Sequence, residues 1–306
     1  MVGGWSSGAA ALEHFATGFE PPIFTGAAGG VALNGQQSFY LPATGGGTHN
    51  VFTYAGNTLG IALNPTGGSH FAAGRNPGGV NARSQRDVAI GGGLWTVATD
   101  LAVRSGTLPT VQFAASLTVR DNPGDGFILA LLAAWTNLAT ATSWEVHMQW
   151  SNAAGVFLSE TLPAGFQNLA VNHWYRLRAR FDFSTNRVLS VALTDLTTGV
   201  TVVAEFTDRY LFGGAAAAHQ PFAFRLFTGG DAGVGNIAAF DNVSIGSGTS
   251  FVDIDGNGRF DPLTDALLAL RYAFGFRGAV LVDGAVGSGC TRCDAPSIEA
   301  YLASLQ

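Results

Sequence analysis

Tyr175-Arg-Leu-Arg-Ala-Arg-Phe-Asp-Phe183 carries the decisive pattern. Tyr175, Leu177, Ala179, Phe181 and Phe183 alternate with Arg176, Arg178, Arg180 and Asp182, so one side of an extended chain is apolar and the other charged. A period of two belongs to a half-buried β-strand. The same alternation recurs upstream: Val111, Phe113, Ala115, Leu117 and Val119 oppose Gln112, Ala114, Ser116 and Thr118, and Trp144, Val146, Met148 and Trp150 oppose Glu145, His147 and Gln149. Residues 127–134 are apolar at every position, as a central strand covered on both faces would be. Further strand-length runs lie at 188–193, 200–206, 222–227 and 237–245, separated by turns such as Ser184-Thr-Asn186 and Thr197-Thr-Gly199. No helical period of useful length precedes residue 262. The predicted fold is mainly β: an N-terminal arm over 1–16, a two-sheet antiparallel sandwich over 17–247, and a small α-helical module over 248–306.

Composition agrees and excludes several functions. The chain has 306 residues, 47% of them hydrophobic and only 12% charged, with 42 glycines to serve tight turns. All fifteen basic residues are arginine. A net charge of −6 and the lack of a basic run argue against a nucleic-acid partner. No apolar run reaches the ~18 residues of a membrane helix. Residues 1–11 lack the basic start and apolar core of a secretion signal. The expected location is nonetheless extracellular or at a bacterial cell surface, with the natural signal removed or the natural start lying elsewhere.

Beyond residue 250 the pattern changes. In Asp253-Ile-Asp255-Gly-Asn257-Gly-Arg259-Phe-Asp261, oxygen-bearing groups recur at every second position, and Leu263 to Phe274 continue as an amphipathic helix. Hard cations such as Ca²⁺ take six to eight oxygens, and a short loop with this spacing supplies them. With Asp253 as position 1, Asp255 is 3, Asn257 is 5, Arg259 offers its carbonyl at 7 and Asp261 falls at 9. Position 12 is Thr264; Asp265 follows it. Either the loop is one residue longer, or Asp261 and Asp265 share the last coordination through water. The competing account is an Asx-rich turn that caps a helix without metal. Loop and helix resemble an EF-hand in the form found in dockerin-type modules of secreted bacterial proteins. That resemblance implies a second half, in which Val286, Ser288, Cys290 and Arg292 replace the ligands and a second helix spans about 296–305. A Cys290–Cys293 disulfide bracing that turn is expected; a redox pair and half a zinc site are the alternatives.

Three phrases of the β region resemble concanavalin A-like, laminin-G-like jelly rolls. Phe19-Glu20-Pro-Pro with Leu33-Asn-Gly35-Gln36 looks like their opening strand and turn. Asn172-His-Trp174-Tyr175 through Asp182 looks like their central strand pair, and Phe240-Asp241-Asn242-Val243-Ser-Ile245 like a closing strand that returns beside the first. Glycosidases on this fold place paired acids on one strand, and no Glu-x-Asp-x-Glu phrase occurs. Glu145, His147 and Gln149 opposite Arg176, Arg178 and Arg180 would imitate the set a polysaccharide lyase uses; the competing expectation is a solvated polar face with cross-strand Glu–Arg pairs. Gly124-Asp125-Gly126-Phe127 resembles the Asp-Gly-Phe phrase of legume-type lectins, which makes Asp125 and the nearby Asn122 candidate sugar contacts, or else a turn closure. The expected function is non-catalytic carbohydrate binding, adhesion or a matrix role, with Ca²⁺ as cofactor and a glycan as partner. A self-associating filament or surface-layer subunit is the alternative, and a polysaccharide lyase or glycoside hydrolase the third.

Overall fold

The computed structural model describes residues 13–43, 46–75, 80–88, 93–104, 113–121, 127–135, 142–219, 221–229, 235–247, 254–257 and 263–303. The chain divides into two compact units, Met1–Gly248 and Thr249–Gln306.

The first unit is a two-sheet antiparallel sandwich of the jelly-roll kind. One sheet runs in the order β14 (Thr201–Glu205), β13 (Arg187–Asp195), β12 (Tyr175–Asp182), β6 (Leu94–Arg104), β16 (Ile237–Ser247), β4 (His70–Arg75), β3 (Asn50–Thr53), β2 (Val31–Ala32), with β1 (Glu13–Thr17) also on β16. The other runs β10 (Phe157–Thr161), β9 (Ser143–Ser151), β8 (Phe127–Trp135), β7 (Phe113–Asp121), β15 (Pro221–Thr228), β5 (Ala82–Asp87), with β11 (Leu169–Ala170) beside β9.

The alternation sorts side chains as the strand period requires. Val146 and Met148 of β9, Leu129 and Leu131 of β8, and Leu117 and Val119 of β7 face Val97 and Leu101 of β6, Leu177 and Phe181 of β12, and Phe240 and Ile245 of β16 in one core. On β8 the opposite side, Ala130, Leu132 and Ala134, is buried as well, which explains why that strand is apolar throughout.

Two features differ from expectation. The last residues of the expected arm form β1, whose Thr17 pairs with Val243 of the closing strand. Phe19-Glu20-Pro-Pro is therefore not a strand but the turn after β1: Phe19 has φ 60°, and the Glu20 carboxylate accepts the backbone N–H of Ser69 and of His70. Strands β2 to β5 are short or mix Gly, Asn and Arg with apolar residues and show no clean period, whereas β6, equally undistinguished in the sequence, does alternate Trp95, Val97, Leu101 and Val103 against Thr96, Ala98, Asp100 and Ala102.

Part of the outer face of the first sheet is covered. Phe52, Ile61, Phe71, Trp174 and Ile237 form a second apolar cluster there. Beside it Asp100 and Asp241, both fully buried, stand directly opposite each other on β6 and β16. Arg176 donates to Asp100 from Nε at 2.7 Å and Nη2 at 3.0 Å. Asn64 Nδ2 bridges both acids at 2.9 and 3.1 Å, and the Tyr54 hydroxyl donates to Asp241 at 2.8 Å. Burial, with the neighbouring Asp100 charge, pushes the Asp241 carboxyl up to about 7. On the core side His49 is fully buried between the hydroxyls of Ser84 (3.0 Å) and Thr228 (3.1 Å), and burial pulls its imidazole down to about 3.

The second unit holds α1 (Asp265–Ala273), α2 (Ala279–Val282) and α3 (Ala295–Ala303) around Ile254, Leu268, Leu281, Ile298 and Leu302. Helix α2 spans 4 residues, too few for a helical period to show in sequence.

The two shifted groups of the first unit oppose each other in the pH dependence of stability. Asp241 holds its proton in the fold up to about 7 but loses it near 4 when unfolded, so its contribution falls as pH rises through that window. His49 stays neutral in the fold but charges below about 6.5 when unfolded, so its contribution rises with pH over nearly the same range. In the unaltered chain the two largely cancel. Asp241→Asn leaves the histidine uncompensated, and its melting temperature should climb between pH 4.5 and 6.5, by an amount of order a few kcal/mol in stability. A variant whose melting curve is as flat with pH as that of the unaltered chain would contradict this.

Candidate functional site

The outer face of the second sheet is the polar one. Alternation places Arg83, Gln85 and Asp87 of β5, Arg225 and Phe227 of β15, Ser116, Thr118 and Arg120 of β7, Ala130 and Leu132 of β8, and Glu145, His147 and Gln149 of β9 on the side away from the core. Register lines up one row across the sheet: Tyr40, Gln85, Arg225, Thr118, Ala130, Gln149, Ser159.

One end of that row is a connected set. Arg225 Nε and Nη2 donate to Gln85 Oε1 at 2.8 and 2.6 Å, Gln85 Nε2 donates to the Tyr40 hydroxyl at 2.6 Å, and that hydroxyl donates to Asp87 Oδ1 at 2.7 Å. Burial and the Asp87 carboxylate push the Tyr40 phenol up to about 12, so it remains a hydroxyl donor at neutral pH. At the other end His147 Nε2 lies 2.7 Å from Glu145 Oε1 and 3.0 Å from Thr161 Oγ1. Along the row between them the floor is small, Thr118 and Ala130, with Leu132 beside His147 and Arg120 on the other side. With strands ~4.8 Å apart, Arg225 and Gln149 are separated by about 14 Å.

Two expectations are corrected. Arg176, Arg178 and Arg180 do not face Glu145, His147 and Gln149, because β12 lies beside β6 in the opposite sheet. Nor is the polar face simply solvated and laced with Glu–Arg pairs: Gln85, Arg120, His147 and Arg225 are only 5–7% exposed, and Glu145 pairs with histidine. Sequence reading missed Tyr40, Gln85, Arg120 and Arg225. The signal available was weak: β5 is polar on both faces, and Tyr40 joins the face through an isolated bridge to Gln85.

The geometry limits the chemistry. Among the described residues, the two acids that alternation puts on this face, Asp87 and Glu145, sit on strands four steps apart, at least ~19 Å. Glycosidic cleavage needs two carboxyls within about 5–10 Å. Tyr40 and His147, the proton-transfer candidates, lie still farther apart. Trp95, Trp144 and Trp150 pack in the core, and Trp174 in the outer apolar cluster, its Nε1 donating to the Ala62 carbonyl. The lectin-like contacts Asn122 and Asp125 lie outside the described residues.

In the second unit Asp253, Arg259 and Asp261 of the oxygen-rich loop also lie outside the described residues. Asp255, Asn257 and Asp265 gather at the start of α1. Asp265 Oδ1 accepts the N–H of Ile254 at 2.6 Å and of Asp255 at 3.2 Å, and Asp255 Oδ1 accepts the N–H of Asn257 at 3.1 Å. Asp255 and Asp265 are both fully buried, and the donor set is oxygen throughout, which suits a hard cation. Among the described residues no group of three acidic, histidine or cysteine side chains is assembled for a metal. Cys290 and Cys293 are joined in a disulfide, Cα atoms 5.4 Å apart. It closes the turn whose Thr291 and Arg292 N–H groups donate to the Asp255 carbonyl at 3.1 and 2.8 Å, so the cysteine turn buttresses the acidic loop directly.

No family model and no curated protein matches the chain. Solved structures similar to the sandwich include an alginate lyase from Klebsiella pneumoniae (14% identity, covering 69% of this chain and 84% of that one, TM-score 0.40). The CBM2 module of the evolved Dit of Lactobacillus casei BL23 phage J-1 is similar at 10% identity, 77% and 95% coverage and TM-score 0.46. Peanut lectin is similar at 12% identity, 79% and 100% coverage and TM-score 0.44. At these values the likeness extends to the arrangement of strands alone.

Removing the disulfide by the double substitution Cys290→Ser, Cys293→Ser should cost the second unit about 2 kcal/mol or less, because the closed loop is short. Calorimetry should show that transition lowered and the sandwich transition unmoved; a lowered sandwich transition would be the wrong outcome.

Proposed function

We propose that this chain is a secreted bacterial, non-catalytic β-sandwich that holds an extended polysaccharide on the outer face of its second sheet. The carrying observation is the row from Tyr40, Gln85 and Arg225 across Thr118 and Ala130 to Gln149. It sets hydroxyl, amide and guanidinium groups at its margins and small, buried side chains at its centre, with Tyr40 and Gln149 the more exposed members that a sugar chain would meet. The Arg225, Gln85 and Tyr40 groups hold one another in place, so little ordering is left to do on binding. Arg83, Arg120 and Arg225 against Asp87 and Glu145 favour a polymer that carries carboxylates. The wide separation of Tyr40 from His147, and of Asp87 from Glu145, supports binding without cleavage.

Calorimetric titration with alginate, polygalacturonate and a neutral β-glucan tests this. An acidic polymer should bind, and Arg225→Gln should weaken it at least tenfold while Arg178→Gln on the other sheet leaves it unchanged. Release of unsaturated or reducing ends from any of the polymers would sink the non-catalytic reading, and absence of binding to all of them the glycan reading.

We further propose that Asp253, Asp255, Asn257, the Arg259 carbonyl, Asp261 and Asp265 hold Ca²⁺ and thereby stabilise the C-terminal unit. Support comes from the spacing of the acids, the burial of Asp255 and Asp265, and the disulfide, which suits an oxidising, calcium-rich exterior. Chelator should lower the melting temperature of the second unit, millimolar Ca²⁺ should restore it, and Asp265→Asn should abolish the difference; a chelator-indifferent melt would refute the site.

Self-assembly is a second reading, favoured by one observation. Among the described residues β14 pairs only with β13, and the exposed Val200 and Val203 leave that sheet edge apolar. Sedimentation velocity that shows concentration-dependent polymers, lost with Val203→Lys, would support it; a monomer at all concentrations would remove it.

A further inference from the structure

A second place in the sandwich has the attributes of a ligand site, on the sheet that the polysaccharide face does not use. A cavity of about 530 Å³ opens over the ends of β3 and β4, between the turns at Gly29 and Thr58. Register puts Asn50 opposite Ala73 and Phe52 opposite Phe71, so Asn50, Phe52, Ala73 and Arg75 share the outer face of the sheet. Phe52 and Leu59 belong to the apolar cluster of that face and form the greasy wall. Asn50, Thr58 and Arg75 supply the polar wall.

Those three polar side chains are unlike their neighbours. Arg104, two strands away from Arg75 across Ile237, donates to the Leu59 carbonyl, and Arg176 is locked to Asp100. Asn57, beside Thr58, is bonded to Tyr54 and Ile61. Among the described residues, the side chains of Asn50, Thr58 and Arg75 have no hydrogen-bond or ion-pair partner. A guanidinium, an amide and a hydroxyl thus line one cavity without a described protein partner, against an apolar backing.

The size and chemistry narrow the occupant. Small-ligand sites span about 300–1,000 Å³, and this one admits one or two sugar rings, not an extended polymer. A guanidinium fork matches a carboxylate bidentately. An amide and a hydroxyl beside it match vicinal ring hydroxyls, and an apolar wall matches the C–H face of a pyranose. We propose that this cavity binds a short uronate-bearing saccharide, its carboxylate on Arg75, its ring hydroxyls on Asn50 and Thr58, and its C–H face on Phe52 and Leu59. This site is independent of the polysaccharide face and stands on different residues of the opposite sheet.

The test is calorimetric titration of the whole chain with digalacturonate, with its methyl ester, which keeps the rings but removes the charge, and with acetate, which keeps the charge but removes the rings. Digalacturonate should bind at least tenfold more tightly than the ester, and acetate should not compete with it. Arg75→Gln should lower affinity for digalacturonate at least tenfold, and Asn50→Leu several-fold, with melting temperatures unchanged. Equal affinity for the ester, full competition by acetate, or affinity indifferent to Arg75→Gln would each overturn the proposal. Affinity that survives Arg75→Gln but disappears with Arg225→Gln would place the saccharide on the polymer-binding face instead, and so separates failure of this inference from failure of that reading.

Discussion

Two carboxylates set the terms for the first sheet. Asp100 and Asp241 face each other across the central β6–β16 ladder, fully buried, in a position where like charges repel. The arrangement stands only because other groups come to it. Arg176 arrives from β12 as a counter-charge, and Tyr54, Asn64 and Thr66 arrive from the long connection after β3. Asn242 turns to φ 45° and donates to Asp100 at 2.7 Å. The acids are thus the hook on which residues 54–66 hang. Once hung, that segment lays Leu59 and Ile61 onto Phe52, Phe71 and Trp174, and that part of the sheet's outer face is sealed.

The two sheets therefore divide their outer surfaces by chemistry. The first spends its surface on covering itself and leaves a small recess where the covering segment ends. The second leaves a polar row in place, and at one end of it Arg225, Gln85, Tyr40 and Asp87 are bonded to one another sideways along the sheet. Interlocked side chains of that kind hold a shape that isolated, solvated arginines do not. On this contrast rests the proposal of an extended ligand for one sheet and a compact one for the other.

Much of the sandwich was legible because its core strands alternate. β7, β9, β12 and β13 announce themselves by one apolar face, and β8 by two. What alternation does not carry is sheet membership. Arg176, Arg178 and Arg180 look like partners for Glu145 and Gln149 until β12 is seen to pair with β6, a decision made by long-range ladder order. β5 is the reverse case: Arg83, Gln85 and Asp87 on one face and Ser84 and Arg86 on the other leave no apolar stripe, so the strand that supplies half of the candidate site is silent. Arg86 is tolerated inward because its guanidinium lies 4.2 Å over the Phe15 ring, a contact no local pattern encodes. In the second unit the spacing of the acidic loop and the close cysteine pair were both readable. The pairing of Asp255 with the cysteine turn across more than thirty residues was not.

The exclusive use of arginine has one more consequence. Guanidinium groups stay protonated at any pH a fold survives, whereas an ammonium can be neutralised by burial or acylated. Arg83, Arg120 and Arg225 therefore give the second sheet a permanent positive complexion, indifferent to alkalinity and to reagents that seek side-chain amines. A surface coated with this protein through lysine chemistry could not be made, because no lysine exists to anchor it.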